Sequence, residues 1–273
     1  VQVLMGLCAV GTLLLYNASF DFMGFMIGSL SKTDGGYTLF NLTSQAIAMA
    51  IMMPATFLAG MTLPLFTYAL LQCGAGERSI GRIYSANTVG AILGVLLAVH
   101  VVMPAIGVKG LVSLGALLDI VVGVALLTLA RPQWRWRWEL PASAGIAALA
   151  FLVIFLAVRF DPLRMISGVY RDGISHWPLD TKIQYYQDGK IASIARFLSK
   201  DGKMLIATNG KPDASINTQQ TTATPDEITM VMAAVLPLSL RPDAKTIANI
   251  GLGSGMTTHN VLGAARSERV DTV

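Results

Sequence analysis

Residues 83–103 read IYSANTVGAILGVLLAVHVVM and contain no Asp, Glu, Lys or Arg. A helix needs about 20 mostly apolar residues to cross the hydrocarbon core of a bilayer. Small residues recur at every fourth position of this stretch, at Ala86, Gly90, Gly94 and Ala98. Residues with this spacing share one face, so a second helix can approach closely there. The stretch therefore predicts a membrane-spanning helix with one flat face.

The remainder of the first 159 residues has the same apolar character. The whole chain is 53% hydrophobic and only 13% charged, with a mean hydropathy of +0.59. A soluble domain carries about 25% charged residues, and a disordered chain combines low hydrophobicity with high charge. We therefore predict a multi-span α-helical membrane domain embedded in a lipid bilayer. We predict about five spans in this domain, at residues 1–16, 41–71, 83–103, 110–130 and 141–158. Residues 17–40 are predicted to form an interfacial excursion.

Three polar side chains fall inside these predicted spans. Asp119 lies near the middle of its span, on one stripe with Gly115 and Gly123. A carboxylate facing lipid is costly, so Asp119 should face protein, either as a proton or ion site or as a hydrogen-bonded packing residue. Asn87 and His100 lie 13 positions apart, which places them on different faces of their helix.

Basic residues indicate contact with anionic lipid headgroups rather than with nucleic acid. The net charge is +4, and Trp134, Trp136 and Trp138 alternate with arginines in a loop that suits the headgroup level. Short loops on one side of the predicted spans carry five basic residues, against two on the other side. This asymmetry slightly favours a soluble half outside the cytoplasm, on the periplasmic side. The residues counted are Arg78, Arg82, Arg131, Arg135 and Arg137 against Lys32 and Lys109.

Composition changes near Arg159, where short apolar runs and frequent charges replace the long apolar segments. Residues 183–197 predict two strands about a turn at Asp188–Gly189, and residues 204–208 predict another strand that ends in the hairpin dipeptide Asn209–Gly210. Pro225 opens a helical pattern, with Thr224 as N-cap and Glu227 three residues later. We predict three regions: a membrane domain over 1–159, a small β unit over 160–223 and an α/β region over 224–273.

A glycine-rich loop follows the apolar strand-like run 246–250. The loop reads Gly251-Leu252-Gly253-Ser254-Gly255, and a helical stretch begins at Met256. Glycines allow the backbone to approach a ligand closely, and the following helix offers backbone N–H groups to a negative group. Met256 takes the position that a nicotinamide dinucleotide fingerprint reserves for Gly or Ala. The G-x-G-x-G spacing instead favours an S-adenosylmethionine-type site on Gly251, Gly253, Ser254 and Gly255, with a structural packing turn as the alternative.

Taken together, these motifs resemble bacterial membrane proteins that fuse a transporter-like (major facilitator-like) helical region to a spermidine-synthase-like domain. The resemblance covers most of the chain from about Met49 onward. The segments of this sequence that carry the resemblance are residues 81–94, Met103–Pro104 with Gly107, Tyr185 to Gly189, Asn209 to Lys211 and Gly251 to Gly255.

The resemblance implies a Rossmann-like aminopropyltransferase domain preceded by a small β unit, in a multi-pass protein of the bacterial inner membrane. It implies decarboxylated S-adenosylmethionine, or a similar nucleoside, as a co-substrate at the glycine loop, with no permanently bound cofactor and no metal. Asp226 and Glu227 match the start of the family's substrate-binding segment. Met230 and Met232 replace the Tyr and Glu that the segment has in the family. The catalytic Asp is expected beyond Val273, so the Rossmann-like part is expected to be incomplete.

Three functions remain as hypotheses. The first is a membrane-bound aminopropyltransferase that acts on a polyamine. The second is a catalytically inactive accessory subunit of a membrane complex, partnered by other membrane subunits or by copies of itself. The third is a polyamine or small-solute transporter that uses Asp119.

Overall fold

The computed structural model describes residues 1–130, 139–219 and 222–273. The chain divides into two compact units. The first unit comprises Val1–Asp161 together with Asp188–Ile191 and is helical. The second comprises Pro162–Gln187 and Ala192–Val273 and contains all strand residues except Asp188.

Long apolar helices build the first unit. Among the described residues, three segments are long and apolar enough to cross a membrane: Gln2–Ser29, Asp34–Gln72 and Arg78–Leu129. Pro141–Ala157 is a shorter apolar helix. These findings support a membrane protein by length and composition. The helices are α1 (Gln2–Ser29), α2 (Asp34–Gln72), α3 (Arg78–Leu97), α4 (Met103–Ala130) and α5 (Glu139–Ala157), with a π-helical turn at Ala98–Val102 between α3 and α4.

The predicted interfacial excursion over residues 17–40 is wrong. Helix α1 continues through this region to Ser29, because a single charged residue, Asp21, does not outweigh the apolar run that follows it. The chain reverses only between Leu30 and Thr33, and the Thr33 hydroxyl caps α2 by accepting a hydrogen bond from the Gly36 N–H (3.2 Å). A Cβ at Gly36 would lie 2.0 Å from the Ser31 carbonyl oxygen, so this turn requires glycine.

The predicted loop at 104–109 is largely helical. Helix α4 begins at Met103, and the chain departs from helical geometry only at Gly107 (φ 68°, ψ 179°). The two predicted spans on either side are therefore parts of one apolar segment with a kink, and Lys109 lies in the helix just after that kink. Glycine tolerates this positive φ at little cost, which explains why the kink occurs there.

Close contact between α1 and α4 forms the interior of the first unit. A Cβ at Gly6 would lie 2.5 Å from the Ala116 carbonyl oxygen, and one at Gly123 would lie 2.6 Å from a Val3 methyl group. Glycine at these positions thus permits the two backbones to approach. The buried cluster beside this contact consists of Val10, Leu13, Ala116 and Val158.

A four-stranded sheet opens the second unit, in the order β1-β2-β3-β4. Neighbouring strands β2 and β3, and β3 and β4, pair antiparallel. The predicted hairpin at Asn209–Gly210 is confirmed, with positive φ at both residues (49° and 78°). Strand β4 was not predicted from the sequence. The strands are β1 (Lys182–Asp188), β2 (Ser193–Leu198), β3 (Lys203–Thr208) and β4 (Lys211–Asn217).

One face of this sheet carries the core of the second unit. Phe197 is fully buried there, against Ala195, Leu205 and Ala207. The Trp177 ring packs on Phe197 with centroids 4.8 Å apart, and its Nε1–H donates to the Ile166 carbonyl oxygen (3.0 Å). Two short helices precede the sheet, α6 (Pro162–Met165) and α7 (Val169–Asp172).

The chain ends in a strand–helix–strand arrangement that follows the longer helix α8 (Pro225–Leu240). Strand β5 (Thr246–Asn249) leads through the glycine loop into α9 (Met256–Leu262), and β6 (Arg269–Thr272) then pairs with β5 in parallel. Parallel strands need a crossover connection, which α9 supplies here. The predicted N-terminus of α8 is confirmed: Thr224 and Glu227 form a reciprocal capping box, and Pro225 occupies the first turn.

Candidate functional site

Three glycines of the loop after β5 have backbone conformations that other residues rarely adopt. Gly251, Gly253 and Gly255 have φ angles of 92°, 53° and 80°. A Cβ at Gly251 or Gly253 would meet no described atom within 4 Å, so conformation rather than crowding explains why glycine occurs there. Gly251, Leu252 and Gly253 are exposed. The loop thus presents bare backbone at the surface of the second unit.

Hydrogen bonds fix this loop to both strands and to α9. The Asn249 side-chain amide donates to the Gly251 carbonyl oxygen (3.2 Å) and to the Thr258 hydroxyl (2.8 Å). The Thr258 hydroxyl in turn lies 3.1 Å from the Thr272 hydroxyl of β6. The Gly251 N–H donates to the Val273 carbonyl oxygen (2.6 Å). This bond joins the residues that follow the C-terminal ends of β5 and β6. The loop is therefore held in one shape by its own neighbours.

Helix α8 contacts the loop through Met230. The Ser254 hydroxyl lies 2.9 Å from the Met230 sulfur, and the Thr257 hydroxyl donates to the Met230 carbonyl oxygen (3.0 Å). The Ser254 hydroxyl also accepts a hydrogen bond from the Met256 N–H (3.3 Å). Met230 therefore lies directly beside the loop. The side chain predicted to bind cofactor at Ser254 already has two protein contacts.

Asp226 and Glu227, predicted as substrate-binding residues, both have structural partners at the start of α8. Asp226 Oδ2 accepts a hydrogen bond from the Ser215 hydroxyl of β4 (2.7 Å). Glu227 Oε2 accepts one from the Thr224 N–H (2.6 Å), and that backbone bond holds the pKa of the carboxyl below its ordinary value. The Thr224 hydroxyl also donates to the Ser215 carbonyl oxygen (2.8 Å). These bonds attach α8 to the four-stranded sheet.

The lowered pKa of Glu227 gives the stability of the α8 N-terminus a pH dependence with a definite sign. The folded state favours the carboxylate, so the stabilisation is complete above the ordinary value of 4.5 and is lost as the pH falls through the lower, folded pKa. We expect hydrogen exchange of the first turn of α8, corrected for intrinsic rates, to accelerate below about pH 4.5.

Glu227→Gln should remove this dependence, because glutamine keeps the capping geometry but does not titrate. Glu268→Gln is a matched control, because Glu268 is exposed and pairs with Lys245 in the same unit. A Glu227→Gln protein with the wild-type pH profile would contradict the assignment.

The three polar residues of the predicted spans do not come together. Asp119 accepts a hydrogen bond from the Gln2 side-chain amide of α1 (2.8 Å), beside the close contact at Gly123. Asn87 borders a cavity of about 320 Å³ between α2 and α3, which Thr62 and Phe66 also line. His100 is exposed in the π-helical turn. The arrangement of Asp119 is that of a packing residue with a polar partner.

Two other sequence predictions concern an interfacial anchor and the flat face of α3. Trp134, Arg135, Trp136, Arg137 and Trp138, predicted as an interfacial anchor, lie outside the described residues. The flat face of α3 is open: in the described part of the chain, no atom lies within 4 Å of a Cβ placed at Gly90 or Gly94. Nor do the described residues contain a group of three or more His, Cys, Asp or Glu side chains suited to a metal ion.

Sequence reasoning missed the residues that hold the glycine loop in place. Asn249, Thr258 and Thr272 form a polar chain that links the end of β5, α9 and the end of β6. Asn near the end of the apolar strand-like run 246–250 and Thr three residues after the last loop glycine are the signals that could have indicated it. The pairing with Thr272 depends on the parallel register of β5 and β6, which the sequence does not specify.

No protein-family model, no curated protein and no solved structure gives a significant match to this chain. Its function must therefore be inferred from the fold and the chemistry of its residues.

Proposed function

We propose that this chain is a membrane-bound, spermidine-synthase-like protein that binds decarboxylated S-adenosylmethionine, or a similar nucleoside, at the glycine loop 251–255 and transfers an aminopropyl group to a polyamine. The observation that carries the proposal is the strand, glycine loop, helix and parallel strand formed by β5, α9 and β6. This is the local context in which a glycine-rich loop binds nucleotide-like ligands.

The accessibility of the loop supports a ligand there. No described atom lies within 4 Å of a Cβ placed at Gly251 or Gly253, and both residues are exposed. A flat nucleoside with a short charged tail needs such close approach to backbone. The hydrogen bonds from Asn249 fix the loop before any ligand arrives, which lowers the entropy cost of binding.

Exposed apolar surface supports a larger α/β domain around this site. Strands β5 and β6 form a two-stranded parallel sheet among the described residues, and parallel sheets are normally covered on both faces. Helix α8 also leaves a stripe of exposed apolar residues at helical spacing, at Ile228, Met232 and Leu236. We therefore interpret β5 and β6 as part of a larger, Rossmann-like parallel sheet.

The proposed reaction places separate demands on donor and acceptor. The amine nitrogen of the polyamine attacks the carbon beside the sulfonium, a C–N bond forms, and the C–S bond breaks to release a neutral thioether nucleoside. The nitrogen then loses a proton to a base. Asp226 and Glu227 already accept hydrogen bonds within the protein, so we assign this base to neither of them.

Isothermal titration of the full chain in detergent with decarboxylated S-adenosylmethionine tests the proposal. We expect binding by the wild type and its loss in Gly253→Asp, because a side chain added at Gly253 (φ 53°) would occupy the open space over the exposed loop backbone that the donor needs. Gly76→Asp is the matched control: Gly76 has φ 69°, also has open space around it, and lies in the other unit.

Binding that survives in Gly76→Asp and is lost in Gly253→Asp would support the donor site. A folded wild type that does not bind would overturn the aminopropyltransferase and favour the accessory subunit. The structural partners of Asp226 and Glu227 favour that second function.

The transporter hypothesis loses support from the bond between Gln2 and Asp119, which gives the carboxylate a packing role. An inner-membrane location with the soluble half outside the cytoplasm is part of the proposal.

A further inference from the structure

A groove in the first unit combines an apolar wall with one cation. It lies between α4 and α5 and has a volume of about 430 Å³. Its apolar wall includes Leu114, Leu117 and Phe151, and Lys109 and Ser113 are its polar members. The groove does not involve the glycine loop, so a ligand in it would be independent of the proposed function.

The Lys109 ammonium is fixed at one end of this groove. Its Nζ donates to the Phe155 carbonyl oxygen in the last turn of α5 (2.8 Å) and lies 4.4 Å from the centroid of the Phe155 ring. A helix C-terminus and an aromatic face both favour a cation. An ammonium has three donors, and the Phe155 carbonyl accepts from one of them. Within the described ranges no Asp or Glu forms an ion pair with Lys109.

A second cation lies near the same end of α5. Arg159 follows Phe155 by four residues, and the bond from the Val158 N–H to the Ile154 carbonyl continues the helical pattern to that point (2.9 Å). Arg159 is exposed. Basic side chains at the end of an apolar helix mark the headgroup level of a bilayer.

Charge and apolar surface are separated along the groove. Leu117 follows Lys109 by eight residues in the same helix, which corresponds to about 12 Å along its axis. A ligand that fits must therefore carry a negative group at one end and a hydrocarbon chain about this long at the other. Soluble anions lack the chain, and zwitterionic lipids offset the negative group with a positive one.

We propose that this groove is a binding site for an anionic phospholipid, with the phosphate on the Lys109 ammonium and an acyl chain along Leu114, Leu117 and Phe151. The bound lipid would give Lys109 a counter-ion and cover apolar surface between α4 and α5.

Native mass spectrometry of the detergent-purified full chain, titrated with phosphatidylglycerol or with phosphatidylcholine of the same acyl chains, tests this site. We expect phosphatidylglycerol to bind at least about tenfold more tightly, since a charge-assisted hydrogen bond to phosphate is lost or weakened with the zwitterion. Lys109→Gln should reduce phosphatidylglycerol binding by a similar factor. Lys109→Arg should retain it, and Lys32→Gln is the control because Lys32 is an exposed cation in the turn after α1.

Leu117→Trp tests the apolar end without touching the cation, because the larger side chain fills the groove. It should weaken binding of phosphatidylglycerol while Lys109 remains in place. Equal binding of the two lipids, unchanged binding in Lys109→Gln, or binding of free glycerol phosphate as tight as that of the lipid would each overturn the proposal.

Discussion

Replacing Gly6 by alanine should destabilise the helical unit by about 1–3 kcal/mol, which is the usual cost of forcing an extra methyl group into a packed interface. The added Cβ would lie 2.5 Å from the Ala116 carbonyl oxygen and 2.8 Å from Ile120 Cγ1. A backbone oxygen cannot move aside as a flexible side chain can, so α1 and α4 must separate. Hydrogen exchange of α1 and α4 peptides in the detergent-purified full chain measures the effect.

Two glycines in the same helices provide matched controls. Gly11 in α1 and Gly115 in α4 have no described atom within 4 Å of an added Cβ. Alanine there should be neutral or stabilising by up to about 1 kcal/mol, because alanine is the better helix former. Gly123→Ala should resemble Gly6→Ala, since its Cβ would lie 2.6 Å from Val3 Cγ2. Equal exchange in Gly6→Ala and Gly11→Ala would contradict the close contact.

Sequence patterns predicted part of this contact and missed its partner. The sequence predicts that Asp119 faces protein, and Asp119 does contact α1, as does Gly123. Gly115, on the same stripe, has no described atom within 4 Å of an added Cβ. Gly6 carried no comparable signal, because its importance depends on Ala116, which lies 110 positions later. The flat face at Gly90 and Gly94 gave the stronger pattern, but the described residues leave it open. Spacing within a helix shows which face can be approached closely, whereas the identity of the neighbouring helix depends on the tertiary fold.

Local signals predicted the second unit more completely. The hairpin at Asn209–Gly210 and the capping box at Thr224 each depend on a few neighbouring residues, and both are confirmed. Strand β4 was missed because Pro212 and Asp213 lower its strand propensity. Pairing with β3 outweighs that local preference, and a register shift between Ile206 and Ala207 accommodates it.

The candidate site shows the same division between local and distant information. The positive φ angles at Gly251, Gly253 and Gly255 fit the short-range pattern strand, glycine loop and helix. The contact of Ser254 with Met230 joins residues 24 positions apart, and no periodicity indicates it. Asp226 and Glu227 were predicted from a resemblance to bind substrate. Their observed partners, Ser215 and Thr224, come from the way α8 is attached to the sheet.

Replacing Phe197 by alanine should produce the largest loss of stability in the second unit, about 3–5 kcal/mol. Phe197 has no exposed surface, and its ring packs against Trp177. The truncation removes the largest fully buried side chain of the chain's described residues and leaves a cavity on the core face of the sheet, beside Trp177. Hydrogen exchange of the β2 and β3 peptides in the full chain measures this loss. Ile194→Ala is the matched control, because Ile194 lies on the same strand, on the opposite face, and is 37% exposed.

This substitution also separates damage to the fold from damage to the proposed donor site. Strand β4 is tied to α8 through Ser215, Thr224 and Asp226, and α8 contacts the glycine loop through Met230. We therefore expect Phe197→Ala to accelerate exchange in α8 and weaken donor binding together, whereas Gly253→Asp abolishes binding and leaves exchange in β2 and β3 unchanged. If Phe197→Ala unfolded the sheet and left the exchange of α8 unchanged, the connection through Ser215 would be wrong. The loop would then depend only on the bonds that Asn249 and Thr258 make within the strand–helix–strand unit.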